Sequence, residues 1–340
     1  MSEGAKSNGS GKPAEAMKVG ILGGGAWGVA LCLGASRAGA EVVLYSRQDR
    51  REVHGKARIT DSYAEVAKSR LIVVAAPSTV VREVLRSLGD HLDGGHLLVH
   101  GIRGLGRDRL ETVSDIIRDE TPVRRVGALG GPVQARELAH GRPSAMVCGS
   151  HYPEVIAAVT RGFQHGMLRV YGTPDLRGLE WASALVGCLS VGVGFAAQAG
   201  AGPGLLAALI SRGVDEAARI AAAAGADERT MLGLGGYGDL LASIALEDRP
   251  EVVLGKALAR GQTLDQGLDA VGREPVVDRG EGAAGPGRRE QQQGEHRATG
   301  ADVGDVLAPG RLDDAGAAVG QIGQLLGGQP HVAGADREPV

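Results

Sequence analysis

The stretch from Lys18 to Tyr45 reads KVGILGGGAWGVALCLGASRAGAEVVLY, and its reading decides the fold. A short apolar strand, Val19 to Leu22, runs into Gly23-Gly24-Gly25-Ala26-Trp27-Gly28. A helix-prone run follows, then Gly39 and a second β-branched strand, Val42 to Tyr45. A G-x-G-x-x-G pattern in this strand–loop–helix–strand context predicts a dinucleotide site. Gly23 permits the tight turn, Gly25 lets backbone approach a pyrophosphate, and Gly28 lets the helix pack close to its strand. Ala26 and Trp27 sit where the helix N-terminus offers N–H groups and a positive dipole end to phosphates.

The end of the second strand bears on which dinucleotide binds. An NAD site puts Asp or Glu there for the ribose 2′-hydroxyl. This chain has Tyr45-Ser46-Arg47, with Arg50 and Arg51 behind. A guanidinium at Arg47 suits a 2′-phosphate. The expected cofactor is therefore NAD(P)H, with NADPH favoured. A solvated arginine cluster explains the same residues without a ligand.

Further strands are predicted at Leu71 to Ala76, Leu97 to Val99, Val126 to Leu129 and Ala145 to Cys148. Helices are predicted at Val80 to Leu88, Asp108 to Asp119 and Val155 to Phe163. Alternation of this kind makes a doubly wound, mostly parallel sheet, and short apolar runs without alternation suit strands buried on both faces. Strand signals stop near Gly172, and Leu176 to Ala226 reads as long helices of small residues. The expected fold class is α/β, a Rossmann-type sheet followed by an all-α C-terminal domain. The divisions fall at 1–16 (a disordered extension), 17–172 (dinucleotide-binding), 173–271 (helical, substrate) and 272–340. That last segment, rich in Gly, Pro, Arg, Glu and Gln, reads as disordered or as out of frame.

The chain has 340 residues and a net charge of −3, so no basic footprint points to nucleic acid. Cys32, Cys148 and Cys188 are scattered in apolar surroundings, which suggests three inert buried thiols, no metal site and a reducing cytoplasm. The start lacks the apolar core of a signal peptide. Trp181 to Ser211 carries no charge, but its Gly, Ala and Ser content and Pro203 favour buried helices over a membrane span. Apolar helix faces also suggest a homodimer.

Several motifs together resemble the NAD(P)H-dependent glycerol-3-phosphate dehydrogenase family. The Gly23-x-Gly25-Ala26-Trp27-Gly28 loop is similar to its G-x-G-x-W-G, and Ala76-Pro77-Ser78 to its V-P-S. Gly131-Pro132-Val133-Gln134-Ala135-Arg136-Glu137 is similar to G-P-S-F-A-x-E. Leu209-Ile210-Ser211-Arg212-Gly213 resembles L-I-T-R-G, and Gly233 to Leu240 resembles G-L-A-G-x-G-D-L. The resemblance runs from about Lys18 to Leu268. It implies hydride transfer between NAD(P)H and dihydroxyacetone phosphate, giving sn-glycerol 3-phosphate in phospholipid precursor metabolism. It also implies cofactor contacts at Pro77 and Ala135, and substrate contacts at Gly131, Glu180 and Arg212.

The resemblance breaks at the reacting centre. A developing alkoxide needs an acid, which the family supplies as lysine in E-x-x-x-A-L-K-N. Here the segment runs Glu180 to Gly187, with Val186 at the lysine and Gly187 at the asparagine. A second lysine, in K-G-[LI]-E, becomes His100 in His100-Gly101-Ile102-Arg103. The S-R-N motif falls near Arg249-Pro250-Glu251, and a shift of one residue puts Arg249 on its arginine. His100, beyond a strand end on the carboxyl edge, is the candidate substitute acid, since an imidazole exchanges protons near neutral pH. Asp239 matches an active-site carboxylate, though an aspartate there can also cap a helix. Arg212 either binds phosphate or pairs with Glu216. Two alternatives remain: a reductase of another small carbonyl or hydroxy acid, and a nucleotide-binding sensor or subunit without turnover.

Overall fold

In the computed structural model, residues 16–106 and 110–273 are described. The expectations for the N-terminal extension up to residue 15 and for the segment beyond residue 273 lie outside them. The chain opens with β1 (Lys18–Leu22), α1 (Ala26–Arg37) and β2 (Glu41–Tyr45), as the quoted stretch predicts. There follow β3 (Arg58–Thr60), α2 (Tyr63–Val66), β4 (Leu71–Val74), α3 (Val81–Gly89) and β5 (Leu97–His100). Next come α4 (Val113–Glu120), β6 (Val126–Gly130), α5 (Ala135–His140), β7 (Ser144–Gly149), α6 (Pro153–Phe163) and β8 (Leu168–Thr173).

The eight strands form one sheet in the order β3-β2-β1-β4-β5-β6-β7-β8. All neighbours pair in parallel except β6 with β7. Chain order reverses between β1 and β4, the crevice where doubly wound sheets take ligands. Every residue of β4 and β5 is buried, as strands covered on both faces require. One apolar cluster joins Val19, Ile21, Leu31, Leu44 and Val73, and another joins Ile72, Leu85, Leu98 and Ile117.

Two strands escaped the sequence reading. The edge strand β3 has only three residues, and in β8 Leu168 and Val170 face inward while Arg169 and Tyr171 face outward. The fourth helix starts at Val113, later than predicted, because Thr112 and Asp115 form a capping box there.

After β8 only helices occur among the described residues: α7 (Leu176–Gln198), α8 (Pro203–Ala223) and α9 (Glu228–Leu232). A π-turn (Leu234–Gly238) then leads into α10 (Asp239–Ile244), followed by α11 (Pro250–Ala259) and α12 (Leu264–Arg273). Glycines let α7 and α11 touch backbone to backbone. A Cβ on Gly255 would overlap the Val191 carbonyl oxygen, and one on Gly194 the Val252 carbonyl oxygen. This close crossing explains the small-residue, uncharged composition. Among the described residues α7 alone is long and apolar enough to cross a membrane, and 56% of that stretch is buried inside the protein.

Cys32 and Cys148 are buried, which pushes both thiols up to about 12. Cys188 departs from the expectation of three buried thiols: it lies exposed on α7.

Candidate active site at the carboxyl edge of the sheet

The glycine loop shows three distinct demands. Gly23 has φ +129°, and a Cβ there would run into the Ala75 carbonyl. A Cβ on Gly28 would overlap the Gly23 carbonyl oxygen, so α1 can lie this close to the turn only with glycine. Gly25 is different: nothing lies within 4 Å of the position its Cβ would take. It caps α1 without any side-chain hydrogen bond, and the first turn holds no acidic residue. The open space and the free N–H groups therefore meet at Gly25, where an anion finds both donors and positive dipole.

Buried donors without partners occur in this loop, beside it and at the carboxyl edge. Among the described residues they include Trp27 Nε1, Arg50 Nε and Gln134 Nε2. A buried polar atom left unpaired costs about 1–3 kcal/mol, so Trp27 Nε1 within the loop and Arg50 Nε beside Gly24 mark a place shaped for a polar ligand. Trp27 lies against Gly101, whose missing Cβ makes room for the indole. Arg50 leans over Gly24, its Nε 3.4 Å from where a Cβ would stand, and it donates to Gln48 Oε1 at 2.9 Å. Arg47, the sequence candidate for the 2′-phosphate, is exposed at the end of β2. Beside it Tyr45 and Tyr63 stack at 4.5 Å between ring centroids. Burial and the hydrogen bond to Tyr45 raise the Tyr63 hydroxyl to about 12.

Pro77 precedes the short turn after β4, while Gly131 (φ +90°) follows β6 and Ala135 opens α5 behind its cap residue Gln134. All three loops belong to the carboxyl edge. The π-turn meets Gly131 there, with the Leu234 carbonyl oxygen 3.5 Å from the Cβ position.

His100 stands at that edge but not as an open acid. It is 1% exposed, and its Nε2 lies 2.9 Å from Glu180 Oε1. The Ile102 N–H donates to Nδ1 at 3.4 Å, which leaves the proton on Nε2 to donate to Glu180. The same carboxylate oxygen accepts the Ser114 N–H at 2.8 Å. Glu180 therefore ties α7 to β5 and α4, and it is buried as well. Both ring nitrogens of His100 are engaged within the protein, and Glu180 is shared between His100 and the Ser114 N–H.

Val186 is fully buried among Ala182, Val214, Ala217, Met231 and Leu240. Gly187 instead borders Arg103, whose Cδ lies 3.9 Å from the glycine's Cβ position. Arg103 NH2 donates to Asp239 Oδ2 at 2.9 Å and to Oδ1 at 3.1 Å. Ser243 Oγ donates to the same carboxylate at 3.3 Å. Asp239 thus does not cap its helix through the side chain; it holds an arginine.

Arg249 joins this cluster, donating to Gln134 Oε1 at 2.6 Å and to Glu251 Oε2 at 3.1 Å. Burial and the charge of Arg103 lower the Arg249 guanidinium below its ordinary value. Burial pushes Glu251 up, but Arg249 and Arg103 outweigh it and hold the carboxyl below the ordinary range. Arg249 is thereby held in the same charged cluster as Arg103 and Asp239.

Arg212 falls elsewhere. It is exposed in the middle of α8 and not at a helix start, and Glu216 pairs with Arg219 instead. Sequence reading gave Arg103, Gln134 and Glu251 no role, because their partners lie on other elements. Among the described residues no group of three His, Cys, Asp or Glu is placed to hold a metal ion.

A doubly wound sheet with an open glycine loop at its crossover, capped by helices carrying buried charge, defines a dinucleotide-binding oxidoreductase architecture. Models of the NAD-dependent glycerol-3-phosphate dehydrogenase family match it: the N-terminus at residues 52–156 and the C-terminus at 175–281. Glycerol-3-phosphate dehydrogenase (NAD(P)+) of Fusobacterium nucleatum is 30% identical over 275 residues, covering 75% of this chain and 82% of the relative. The corresponding protein of Acinetobacter baylyi is 31% identical over 276 residues, covering 76% and 77%. The chain belongs to the NAD-dependent glycerol-3-phosphate dehydrogenase family. Its fold is also that of the crystal structure of glycerol-3-phosphate dehydrogenase from Coxiella burnetii. The TM-score is 0.70 at 23% identity, over 76% of this chain and 85% of that one.

Proposed function

We propose that this protein reduces dihydroxyacetone phosphate to sn-glycerol 3-phosphate with NADPH, and runs the reverse reaction with the oxidised cofactor. The observation that carries this reading is the presence of two features at the carboxyl edge of one sheet. The first is the open Gly25 loop with the unpartnered donors of Trp27 and Arg50. The second is the Arg103–Asp239–Arg249–Glu251 cluster, which brings two guanidinium groups to one place.

The residues present fit a nicotinamide dinucleotide. Gly23, Gly25, Ala26, Trp27 and Gly28 would hold the pyrophosphate end, with Pro77 and Ala135 closing the crevice. Arg50 and Arg47 would take a 2′-phosphate, which favours NADPH over NADH because guanidinium groups bind phosphate in a bidentate fork. When bound, the cofactor supplies the hydride. The chain's own residues would orient the carbonyl, with Gly131 giving close backbone approach and Arg249 offering charge to the substrate phosphate. His100 and Glu180 act in this account as positioning residues that fix α7 against β5, and Arg212 stands outside it. Two buried free thiols suit a reducing cytoplasm. Exposed Leu205 and Ile220 on α8 would become buried in a homodimer.

Fluorescence titration with NADPH and NADH, followed by reduction assays with dihydroxyacetone phosphate and unphosphorylated dihydroxyacetone, tests the proposal. The expected result is tighter NADPH binding and turnover of the phosphate ester. Binding without turnover would leave a nucleotide-binding protein in place of a reductase.

A further inference from the structure

Gln134 is placed in a way that stability alone does not explain. It is 7% exposed and precedes α5 as its cap residue, without a side-chain hydrogen bond to that helix. Its Oε1 instead accepts from Arg249 Nη1 at 2.6 Å, across 115 residues of chain. A guanidinium carries only donors, so the amide oxygen must be the atom that faces it. That fixes the amide and leaves Nε2 buried without a partner. A buried donor in that state is costly, and an apolar side chain at this position would avoid it. What the amide supplies is a neutral acceptor for Arg249. The guanidinium is also held through Nε by Glu251 Oε2 at 3.1 Å, and its side chain is 17% exposed. Its Nη2 donates to no described residue and is not among the buried unpartnered atoms, so one edge of this cation stays within reach of a ligand. The charges here balance, with Arg249 and Arg103 against Glu251 and Asp239. A carboxylate at position 134 would tip that balance negative, whereas an amide does not.

We propose that Gln134 is the positioning residue for Arg249: it orients the guanidinium without neutralising it, and thereby sets the preference for a phosphorylated over an unphosphorylated substrate. The assignment rests on the reductase reading above, in which Arg249 meets the substrate phosphate. Gln134 acts through Arg249 and takes no part in the transfer of hydride or proton. A phosphate ester carries about −1.5 to −2 charge at pH 7. A guanidinium already held by two fixed acceptors has less freedom to lose on binding it than a mobile one. The neutrality of the amide matters as much as its hold. A carboxylate in its place would pair with Arg249 and meet the phosphate with like charge.

The test compares Gln134→Glu, which keeps the shape and adds a charge, and Gln134→Met, which keeps the length and removes the acceptor, with the parent protein. Urea midpoints establish that each is folded; if Gln134→Met is not, Gln134→Glu decides alone, since its charge pairs with Arg249. Calorimetry with sn-glycerol 3-phosphate at saturating NADPH, a pair that cannot react, reads binding. Kinetics with dihydroxyacetone phosphate and with unphosphorylated dihydroxyacetone read KM, kcat and the preference between them. Gln134→Glu should weaken binding of the phosphate ester about a hundredfold through like charge. Gln134→Met should weaken it about tenfold, through loss of a hydrogen bond to a charged group. In both the change should fall on KM more than on kcat, and the preference for the phosphorylated substrate should shrink with it, as loss of uniform binding requires. A merely structural role would lower the urea midpoint and leave the preference unchanged. Folded variants that keep parental binding and preference overturn the proposal and leave the reductase reading standing. Binding that weakens in both variants, with no reduction even by the parent, removes the reductase reading and leaves Gln134 assigned. A parent that neither binds nor reduces overturns both.

Discussion

Replacing Gly25 and Gly28 by alanine should separate ligand binding from folding within one loop. Gly25 has φ −73° and ψ 176°, a conformation that alanine adopts freely, and its Cβ would meet no protein atom within 4 Å. Gly25→Ala should therefore change stability by less than about 1 kcal/mol, the loss of a glycine N-cap being the main cost. The methyl group would stand in the space through which the pyrophosphate approaches backbone N–H groups. Hydrogen bonds to a charged group are worth about 1.5–3 kcal/mol each. Losing one should raise the NADPH Kd by about tenfold to a hundredfold. Gly28→Ala has the opposite character, because its Cβ would overlap the Gly23 carbonyl oxygen. Relief requires α1 to move off the turn, an overpacking cost of about 1–3 kcal/mol or more. Urea unfolding and fluorescence titration of both variants separate the two effects. Parental NADPH affinity in Gly25→Ala, or a stability loss equal to that of Gly28→Ala, would refute the reasoning.

Glu180→Ala should cost about 3–5 kcal/mol in urea unfolding, because it strands buried His100 and the Ser114 N–H; a loss below about 1 kcal/mol would show that the pair positions nothing. Arg50→Met should raise the Kd for NADPH about tenfold or more while leaving NADH nearly unchanged, and equal effects on both would move the 2′-phosphate elsewhere. Glu120 is held below the ordinary carboxylate range by Arg86 and Arg82, and Glu251 by Arg249 and Arg103 against its burial. A depressed carboxylate stabilises fully above its unfolded pKa and loses that contribution as pH falls through the folded one. Stability followed by urea midpoints should thus hold from neutral pH down to about 5 and decline below about 4.5; a decline that begins near neutrality would contradict this. Gly255→Leu should destabilise by more than about 2 kcal/mol, since the new side chain meets α7 backbone that cannot yield.

Much of the nucleotide half was legible because its demands are steric and local. Gly23 and Gly28 each meet a constraint set within a few residues or by the neighbouring strand, and residue type records it. The buried strands β1, β2, β4 and β5 were equally plain, being short apolar runs. The three-residue β3 was not, since Arg58-Ile59-Thr60 has no apolar periodicity and pairs only through its backbone with β2. The reacting centre was legible only as a loss. Val186 could be read as a missing lysine, yet nothing local shows that Arg103 meets Asp239, 136 residues away. His100 looked like a free acid for the same reason: its partner Glu180 is 80 residues on. Charged pairs that join separate elements leave no periodic trace in sequence, whereas glycine turns and apolar runs do.

The most direct test of this account is oxidation of NADPH by the purified full-length protein on addition of dihydroxyacetone phosphate, with the product identified as sn-glycerol 3-phosphate. The account predicts substrate-dependent oxidation despite valine at position 186. Saturable NADPH binding with no oxidation at any concentration of dihydroxyacetone phosphate would contradict it.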